Sequence, residues 1–584
     1  MPSPAAASEK QLNVAVIGSG LAGLTAAYLL EKNNHEHQQI HVHLFEKSST
    51  LGMDAASVSV GHEKKKFRID VPMRSFMSGY YSHLFRLYKH LEIPAKEAKF
   101  DFGWYRIKKY HAFKQTLEGE TQAATATDRE TKNESYLVYS GARTVGHFDL
   151  ISSSRSPSLA TLLLDLLKYM WRSFVVAYSY LWLMCIALWM QYRGHFKNPE
   201  HPICNMTLGQ FFIKYRIHPY FSHQVFVPLF AAVCTSTYSS MLNYPASEIL
   251  EYMAMGLNQA SYVCAGGVQQ VVRAMSAPLK HVHLATEITS IQANPDPNHR
   301  FLLIDQHHNT YPIDHIIFAT QGNQSLRLLE GLVDVLRQQQ PPPPPQQQQT
   351  ATSVAIEPVL EQINMLKTFV YNTALVINHT DTRVLPSNPS HWKALNLAMV
   401  DKTVKTHTMD KRLIVPFPHE TTMATHILNY THPTPLSLPA ARQAQEDKES
   451  EGLLMQTTNP CVAVDPSKVL SIAWFERATV TLESKKALQK LFTFAPSPTK
   501  RETSSEDDED VQLAACQGNQ GLWFVGSYCW RGIPLLEGCV ASAEYVVKKG
   551  LASCEQLNIH VPWSKDKQEA LEKHLIDSLH KKKD

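Results

Sequence analysis

The stretch Val14-Ala15-Val16-Ile17-Gly18-Ser19-Gly20-Leu21-Ala22-Gly23 places four apolar residues directly before a glycine-rich turn. The apolar run predicts a buried β-strand, and the alanines and leucines that follow Gly23 predict a helix. In such a βα unit Gly18 permits the tight turn, Gly20 lets the backbone approach a pyrophosphate, and Gly23 lets the helix pack closely on the strand. The N–H groups at the start of the helix would then hold the phosphates.

A second apolar run, His41-Val42-His43-Leu44-Phe45, ends in Glu46. Glu46 lies about 20 residues after Gly23, where a carboxylate accepts hydrogen bonds from the ribose hydroxyls of a dinucleotide. An ordinary βα turn does not need this acid, so the sequence predicts a dinucleotide-binding domain. The predicted cofactor contacts in this part of the chain are Gly18, Ser19, Gly20, Leu21, Ala22, Gly23, Glu46 and Lys47.

The end of the chain carries a second glycine pattern. Gly521–Tyr528 predicts a buried strand with a glycine turn, and Gly532–Ala543 predicts the start of a helix. Paired with the first motif, these segments resemble the flavin-dependent amine oxidase superfamily, in which the end of the chain closes over the flavin. The resemblance implies FAD as the cofactor. It also implies four further contacts, namely Gly526, Ser527, Leu536 and Glu537.

Internal segments extend this resemblance. His281–Ile288 is similar to the strand beside the adenine, which makes Ile288 a cofactor contact, and Ile316–Thr320 is similar to the superfamily's second strand of this kind. Arg74 and Tyr81 follow the segment that the superfamily brings beneath the flavin ring, so both are predicted to line the flavin's edge, with Arg74 as a cofactor contact. A plain salt bridge is the alternative role for Arg74. Within the superfamily the chain looks like an uncharacterised bacterial and fungal branch related to the N-terminal domain of plant cyclopropane fatty-acid synthases. It departs from the bacterial members at residues 51–57 and 531–537, so no substrate is carried over from those bacterial relatives.

The fold class that follows is α/β, a doubly wound Rossmann-type FAD-binding domain with an inserted mixed α+β substrate domain. We expect residues 12–80, 262–325 and 512–552 to assemble the FAD-binding domain, and residues 81–261 and 353–495 to form the substrate domain. Polar or low-complexity composition predicts disordered inserts. These inserts are residues 336–352, which hold a glutamine–proline tract, residues 440–458 and the acidic residues 496–511, and residues 553–584 are expected to form a helical tail.

Composition narrows the class of protein. A net charge of +3 over 584 residues gives no argument for nucleic acid as a partner. Nine cysteines without a C-x-x-C pair speak against a disulfide framework. The polar start, Met1–Lys10, has no apolar core of a secretory signal, which predicts an intracellular protein. The H-x-H pairs at His35, His41 and His281 are interpreted as solvated or packed histidines, and no metal site is predicted.

The apolar segment 173–190 is long enough to enter a bilayer, because no charged residue lies between Arg172 and Arg193. A single crossing is excluded, since both glycine patterns must lie on the same side to build one FAD site. Three arrangements remain, namely a helix in the membrane interface, a hairpin with Leu159–Trp171, and a helix buried in the protein. Lys168 and Arg172 interrupt that first stretch and favour an interfacial, amphipathic helix.

Together these features predict an FAD-dependent oxidoreductase that takes a hydride from an apolar or lipid-like small molecule. Two alternatives stay open, a soluble amine or polyamine oxidase and a non-catalytic binding protein that resembles GDP-dissociation inhibitors. The intact glycine turn and Glu46 argue against the second alternative. The sequence assigns no catalytic residue and no electron acceptor.

Overall fold

The computed structural model describes residues 11–35, 39–54, 56–60, 67–108, 133–139, 159–339, 354–401, 414, 420–431, 452–494 and 511–564. Its strands are β1 Leu12–Ile17, β2 Ile40–Phe45, β3 Val58–Val60, β4 Phe67–Ile69, β5 Phe76–Met77, β6 Ala95–Glu97, β7 Phe102–Ile107, β8 Asn133–Tyr139, β9 Ser261–Cys264, β10 His281–His283, β11 Ile288–Ala293, β12 Phe301–Asp305, β13 Thr310–Ile313, β14 His315–Phe318, β15 Val370–His379, β16 Leu395–Val400, β17 Met423–Ile427, β18 Met455–Thr458, β19 Val469–Thr479, β20 Phe492–Phe494, β21 Val511–Leu513 and β22 Leu522–Phe524.

The α-helices are α1 Leu21–Lys32, α2 Ser82–His90, α3 Leu159–Tyr192, α4 Leu208–Lys214, α5 Pro219–Phe221, α6 Val227–Cys234, α7 Tyr238–Leu242, α8 Ala246–Gly256, α9 Gln269–Ser276, α10 Gly322–Gln339, α11 Ile356–Leu366, α12 Leu428–Thr431, α13 Leu482–Leu488, α14 Leu536–Tyr545 and α15 Ala552–Glu555. A π-helical segment, Val546–Leu551, joins α14 to α15 without a break.

A five-stranded parallel sheet in the order β10-β2-β1-β14-β22 forms the centre of the first domain. Its strands come from the beginning, the middle and the end of the chain, and β1 lies in the centre. Helices α1, α9 and α14 share one hydrophobic core with this sheet, in which Leu24, Val271 and Val540 are fully buried. The predicted α/β fold class, with a Rossmann-type domain and an inserted mixed domain, is confirmed.

The first domain is larger than the sequence predicts. Helices α10 and α11 pack on each other and contribute Leu332 and Val359 to its core, as α2 contributes Leu87. The domain therefore continues beyond residue 325 to residue 366 and includes α2. The reason is that these helices each carry an apolar stripe, and the sheet domain is the surface against which that stripe is buried.

A seven-stranded mixed sheet in the order β19-β15-β18-β17-β16-β7-β8 forms the second domain. Helices α4, α6 and α8 have a separate core beside it, which includes Phe211, Phe230 and Leu250. A smaller sheet, β5-β9-β6, is built from segments near the points at which the chain passes from one domain to the other. The mixed α+β character expected of the inserted domain is thus present.

Residues 455–458 correct one predicted insert, because they form strand β18 between β15 and β17. Their polar composition suggested a loop, but the polar groups are paired inside the protein. Gln456 Nε2 donates to the Asp70 carbonyl at 2.9 Å, and Thr457 Oγ1 lies 2.7 Å from His379 Nε2. Buried polar side chains with such partners are compatible with a central strand.

Most residues of the predicted inserts lie outside the described part of the chain, namely within 340–353, 432–451 and 495–510. Helix α10 extends to Gln339, and β21 begins at Val511, so both insert edges shift slightly. The predicted helical tail is wrong for residues 556–564, because α15 ends at Glu555. There Trp563 is buried and packs against Tyr28 of α1. Residues 565–584 lie outside the described part.

The apolar segment is one continuous helix, α3, which excludes the hairpin between Leu159–Trp171 and residues 173–190. By length and composition, Leu166–Tyr192 could cross a membrane, and 44% of its apolar 18-residue window is buried. One side of α3, with Leu183, Ala187 and Met190, belongs to the core of the second domain. The opposite side is exposed, so a wholly buried helix is also excluded.

Candidate cofactor and substrate cavity

The glycine turn after β1 has a different requirement at each glycine. Gly18 has a φ of 101°, and a Cβ there would lie 2.9 Å from the Ala319 carbonyl oxygen. A Cβ on Gly23 would lie 1.9 Å from the Gly18 carbonyl oxygen, so no larger residue fits. Gly20 is different, because a Cβ there would meet no atom within 4 Å. Gly20 therefore leaves open a space beside the backbone, and this space belongs to a large cavity.

The start of α1 faces the same cavity through Gly20, Leu21 and Ala22. No side chain caps this helix, so its positive end is directed at the open space. Ser19 is buried and does not line the cavity. Its N–H and Oγ–H donate to Glu46 Oε2 at 3.0 and 2.6 Å, which ties the turn to the end of β2.

Glu46 is half-buried at the end of β2. Besides the Ser19 bonds, its Oε1 accepts a hydrogen bond from the Ser48 N–H at 2.9 Å. Its backbone N–H donates to the His283 carbonyl oxygen of β10, and its own carbonyl accepts from the Thr286 N–H, both at 2.9 Å. Glu46 thus lies at the edge where β2 and β10 end together. Neither Glu46 nor Lys47 lines the cavity wall, and Lys47 is exposed.

The segment that ends at Ile288 is not the single strand that the sequence predicts, and the cofactor contact of Ile288 stays a prediction. The predicted strand 281–288 is broken after His283, and Ala285 adopts a left-handed conformation with a φ of 50°. Ile288 begins β11 in a separate antiparallel sheet and its side chain is buried in the core. Two other residues of this segment, His283 and Thr286, form backbone hydrogen bonds with Glu46.

The segment after β22 forms another part of the cavity wall, with Gly526, Ser527 and Leu536. The Gly526 N–H donates to Ser542 Oγ at 3.0 Å, which fixes this turn to α14. As predicted, a helix starts at Leu536, and its N-terminus is directed at the cavity. The starts of α1 and α14 therefore converge on one space.

Glu537 does not belong to that wall. Its carboxylate accepts hydrogen bonds from the His83 and Leu84 N–H groups at 2.9 and 3.0 Å, and from Ser82 Oγ at 3.2 Å. Burial raises the pKa of Glu537, although these bonds and His83 act against that rise. Glu537 thus caps α2, and the sequence-based assignment to the cofactor is corrected for this residue.

The cavity has a volume of about 1220 Å³ and lies between the two domains. The turn after β1, the segment 72–75 and the start of α14 line one end. Helices α3, α6 and α8 line the other end with apolar side chains, among them Met184, Phe230 and Tyr252. Tyr81, predicted to line the flavin edge, is a wall residue as well, and burial raises its pKa well above the usual value.

Two arginines give the glycine-turn end of the cavity its charge. Arg74 Nη2 donates to the Met53 carbonyl oxygen at 3.1 Å, while its buried Nε has no hydrogen-bond partner among the described residues. Burial lowers the pKa of Arg74, and nearby Asp70 acts in the opposite direction. Arg477 of β19 also lines the cavity and makes no ion pair with a described residue. Both guanidinium groups are available to a ligand.

The sequence pointed to Arg74 but missed Arg477 and Cys539, which also line the cavity. Arg477 lies on the same side of β19 as Ala473 and Phe475, which face the protein interior. A positively charged residue on the inward side of a strand was the sequence signal that could have identified Arg477. Cys529 is fully buried and is not a wall residue. None of the nine cysteines is paired in a disulfide.

The histidine pairs of β2 and β10 lie on adjacent strands and stack. The ring centroid of His43 is 4.9 Å from that of His281 and 5.4 Å from that of His283. Burial, followed by the repulsion of the neighbouring histidines, lowers the pKa of His43 to about 4. His37, the partner of His35, lies outside the described residues.

Residues 16–91 match the sequence profile of the NAD(P)-binding Rossmann-like domain. No curated protein sequence matches the chain. Similar solved structures include the CLA-producing fatty acid isomerase from P. acnes, with 11% identity and a TM-score of 0.49 over 93% of this chain and 99% of that one. An oxidoreductase from Methanosarcina mazei has 12% identity and a TM-score of 0.45 over 92% and 100% of the two chains.

Cyclohexylamine oxidase from Brevibacterium oxydans has 9% identity and a TM-score of 0.45, over 93% of this chain and 100% of that one. The matched profile covers the same part of the chain in which the structure has the glycine turn. Residues 16–91 contain the glycine turn, α1 and Glu46, and they match a Rossmann-like nucleotide-binding domain.

Proposed function

We propose that the protein is an FAD-dependent oxidoreductase of the amine-oxidase type, which takes a hydride from an apolar or lipid-like substrate. The observation that carries this proposal is the convergence of two helix starts, α1 and α14, on a cavity that apolar side chains of α3, α6 and α8 also line. Two helix N-termini at one end suit a dianionic pyrophosphate and an electron-rich ring.

The residues at this end fit the cofactor. The open space at Gly20 allows a pyrophosphate to reach the N–H groups at the start of α1. Glu46 would hold the ribose, since its carboxylate lies at the end of β2 beside β10. The unpartnered Nε of Arg74 is a buried donor that needs an acceptor, and a polar group of the cofactor would satisfy it.

When bound, FAD supplies the hydride acceptor. The apolar walls at Met184, Phe230 and Tyr252 would exclude water and hold a C–H bond in place. The start of α14, together with Arg74 and Arg477, would stabilise negative charge that develops during hydride transfer. No residue needs to form a covalent bond to the substrate in this scheme.

The cavity also bears on the two alternatives. Arg74 and Arg477 would repel a protonated amine, but Glu97, Asp101 and Glu476 line the same cavity, so its charge does not separate a lipid-like substrate from a polyamine. A binding protein without cofactor would have no use for the open space at Gly20. The resemblance to the branch that includes the cyclopropane-synthase domain is a further argument for a lipid-like substrate.

The test is spectroscopic. Protein purified from an expressing cell should be yellow, with flavin absorption bands. Anaerobic mixing with a panel of lipids, carotenoids and amines should bleach the flavin with a lipid-like compound and leave it oxidised with polyamines. A colourless protein that binds no added FAD would refute the assignment, and bleaching by polyamines alone would support the soluble amine oxidase instead.

A further inference from the structure

The exposed side of α3 carries an unusually large set of apolar side chains for a surface helix. Each of them is between 39% and 87% exposed. They are Leu163, Leu164, Leu166, Leu167, Met170, Trp171, Phe174, Tyr178, Tyr180, Leu181, Trp182, Leu188, Trp189 and Tyr192. Contiguous apolar surface of this extent marks a site of interaction with another protein or a membrane.

We propose that this side of α3 docks on the surface of an anionic phospholipid bilayer, with the helix lying along the membrane. The helix is 34 residues long, so the apolar side extends over about 50 Å. Ile213 of α4, which is 81% exposed, lies close by, because the Trp182 Nε1–H donates to the Tyr215 carbonyl oxygen at 3.0 Å. The apolar surface is thus broader than one helix.

Charge supports a lipid leaflet as the occupant. From the start of α3 to Arg216 the sequence holds two acidic residues, Asp165 and Glu200, against six basic ones, which are Lys168, Arg172, Arg193, Lys197, Lys214 and Arg216. Arg172 and Arg193 border the most apolar part of α3, and Lys214 and Arg216 flank Tyr215. Basic residues around an apolar surface are attracted to anionic headgroups, while the tryptophans suit the interfacial layer.

Packing excludes a helix that crosses the bilayer. Leu183, Ile186 and Ala187 are buried in the core of the second domain, and α3 packs along α8. Crossing the membrane would separate these side chains from their core. The helix can therefore place only one side in lipid, which is the arrangement of an interfacial helix.

Helix α3 also forms part of the cavity wall. Tyr180 and Met184 of α3 line the cavity, and Tyr180 is 44% exposed. A bilayer on the outer side of α3 would therefore lie at the rim of the cavity. An apolar substrate could pass from the leaflet into the cavity without crossing water. This second part of the inference rests on the proposed function, whereas docking itself does not.

Vesicle flotation of the purified full-length protein tests the docking. Vesicles of phosphatidylcholine with phosphatidylserine should carry the protein upward, and vesicles of phosphatidylcholine alone should carry much less. The combined substitutions Phe174→Gln, Leu181→Gln and Leu188→Gln should weaken binding at least about tenfold, since three large apolar contacts are lost. Arg172→Gln with Arg193→Gln should weaken binding only to the anionic vesicles.

A matched control comes from the outer side of β19. Leu470, Ile472 and Trp474 are similarly exposed but lie away from α3. Changing these three residues to glutamine should leave vesicle binding unchanged. Equal loss in both triple variants would mean general apolar adhesion and would overturn the proposal. So would a wild-type protein that stays unbound, or a lipid-free dimer that the α3 variant converts to monomer.

Insertion depth separates docking from crossing. Lipids brominated near the glycerol should quench the tryptophan fluorescence of the bound protein more than lipids brominated near the chain end. The opposite order would overturn the surface arrangement. Flavin content is measured on the same samples, so failure of the cofactor assignment is seen independently of lipid binding.

Discussion

Gly20 and Gly23 lie in the same turn, but only Gly20 has room for a larger side chain. We expect Gly20→Val to fold normally, with a free energy of unfolding within about 0.5 kcal/mol of wild type, because its side chain enters open space. The same side chain would occupy the place proposed for the pyrophosphate, so flavin content should fall to near zero. Gly23→Val should fail to fold, because its Cβ would overlap the Gly18 carbonyl. Thermal unfolding and the flavin absorbance of both variants check this, and a yellow Gly20→Val protein would contradict it.

Glu46 and Lys47 are neighbours with different expected roles. Glu46→Ala should weaken FAD binding by about 1.5–3 kcal/mol, because the ribose hydroxyls lose a charged acceptor. This corresponds to roughly a 10- to 100-fold rise in Kd. Lys47→Ala is the control and should bind FAD as the wild type does, since Lys47 is exposed, whereas Glu46 is bonded to Ser19 of the glycine turn. Titration of apoprotein with FAD, followed by flavin fluorescence, measures both; equal affinities would remove Glu46 from the site.

The stacked histidines make stability depend on pH. The pKa of His43 is about 4 in the folded protein, against about 6.5 in an unfolded chain. The unfolded chain therefore binds more protons between these values, so the contribution is full above about pH 6.5 and is lost as the pH falls towards about 4. His43→Phe keeps the ring and removes the titration. Its Tm should fall less steeply than that of the wild type over this window, and parallel curves would contradict the interpretation.

Single residues were predicted well where a motif fixes their geometry. Gly18, Gly20 and Gly23 each have the surroundings that the motif requires. Glu537 was misplaced because a carboxylate at a helix start can equally serve a neighbouring helix, and here it caps α2. Arg477 was missed because only the folded sheet brings β19 to the cavity.

Helix α3 offers two leucines, two residues apart in the sequence, with contrasting surroundings. Leu183 is fully buried in the second core, while Leu181 is 61% exposed. Leu183→Ala should lower the free energy of unfolding by about 2–5 kcal/mol, through lost burial and a new cavity. Leu181→Ala should change it by less than about 0.5 kcal/mol. Denaturant unfolding in lipid-free buffer checks this, and similar losses for both would mean that the outer side is covered by protein.

Element prediction succeeded for β1, α1, β14, β22 and α14, where apolar runs end in glycine turns. It failed where tertiary partners override composition. Strand β18 reads as polar, yet its side chains are bonded within the sheet. The break between β10 and β11 depends on a left-handed Ala285, which no residue preference indicates. The length of α3 was underestimated because charged residues near its start suggested an interruption.

The last described residues hold the first domain together. Glu544 Oε2 accepts hydrogen bonds from His83 Nδ1 and from Trp563 Nε1, both at 3.0 Å. Burial disfavours charge on His83, but Glu544 raises its pKa above the usual value. Trp563 also packs against Tyr28, so one side chain joins α1, α2 and α14.

A truncation series tests this arrangement on the whole chain. Ending the chain after Glu555 should destabilise it by about 3–5 kcal/mol, the usual cost of removing a buried tryptophan. Ending it after Ser564 keeps Trp563 and should cost much less. Thermal unfolding of the two shortened proteins measures the difference. Equal melting temperatures would show that the contacts of Trp563 contribute little.

The parallel sheet of the first domain joins strands that are made at very different times. Val14 of β1 pairs with His315 of β14, and Ile316 of β14 pairs with Leu522 of β22. At about 5–20 residues per second, roughly 25–100 s of translation separate β1 from β22. The nascent chain must therefore leave the ribosome with an incomplete sheet and with α3 already made. A message cut short before residue 522 would yield no cavity wall at Gly526 and Leu536, so the glycine turn at the start of the chain borders a complete cavity only when synthesis is nearly finished.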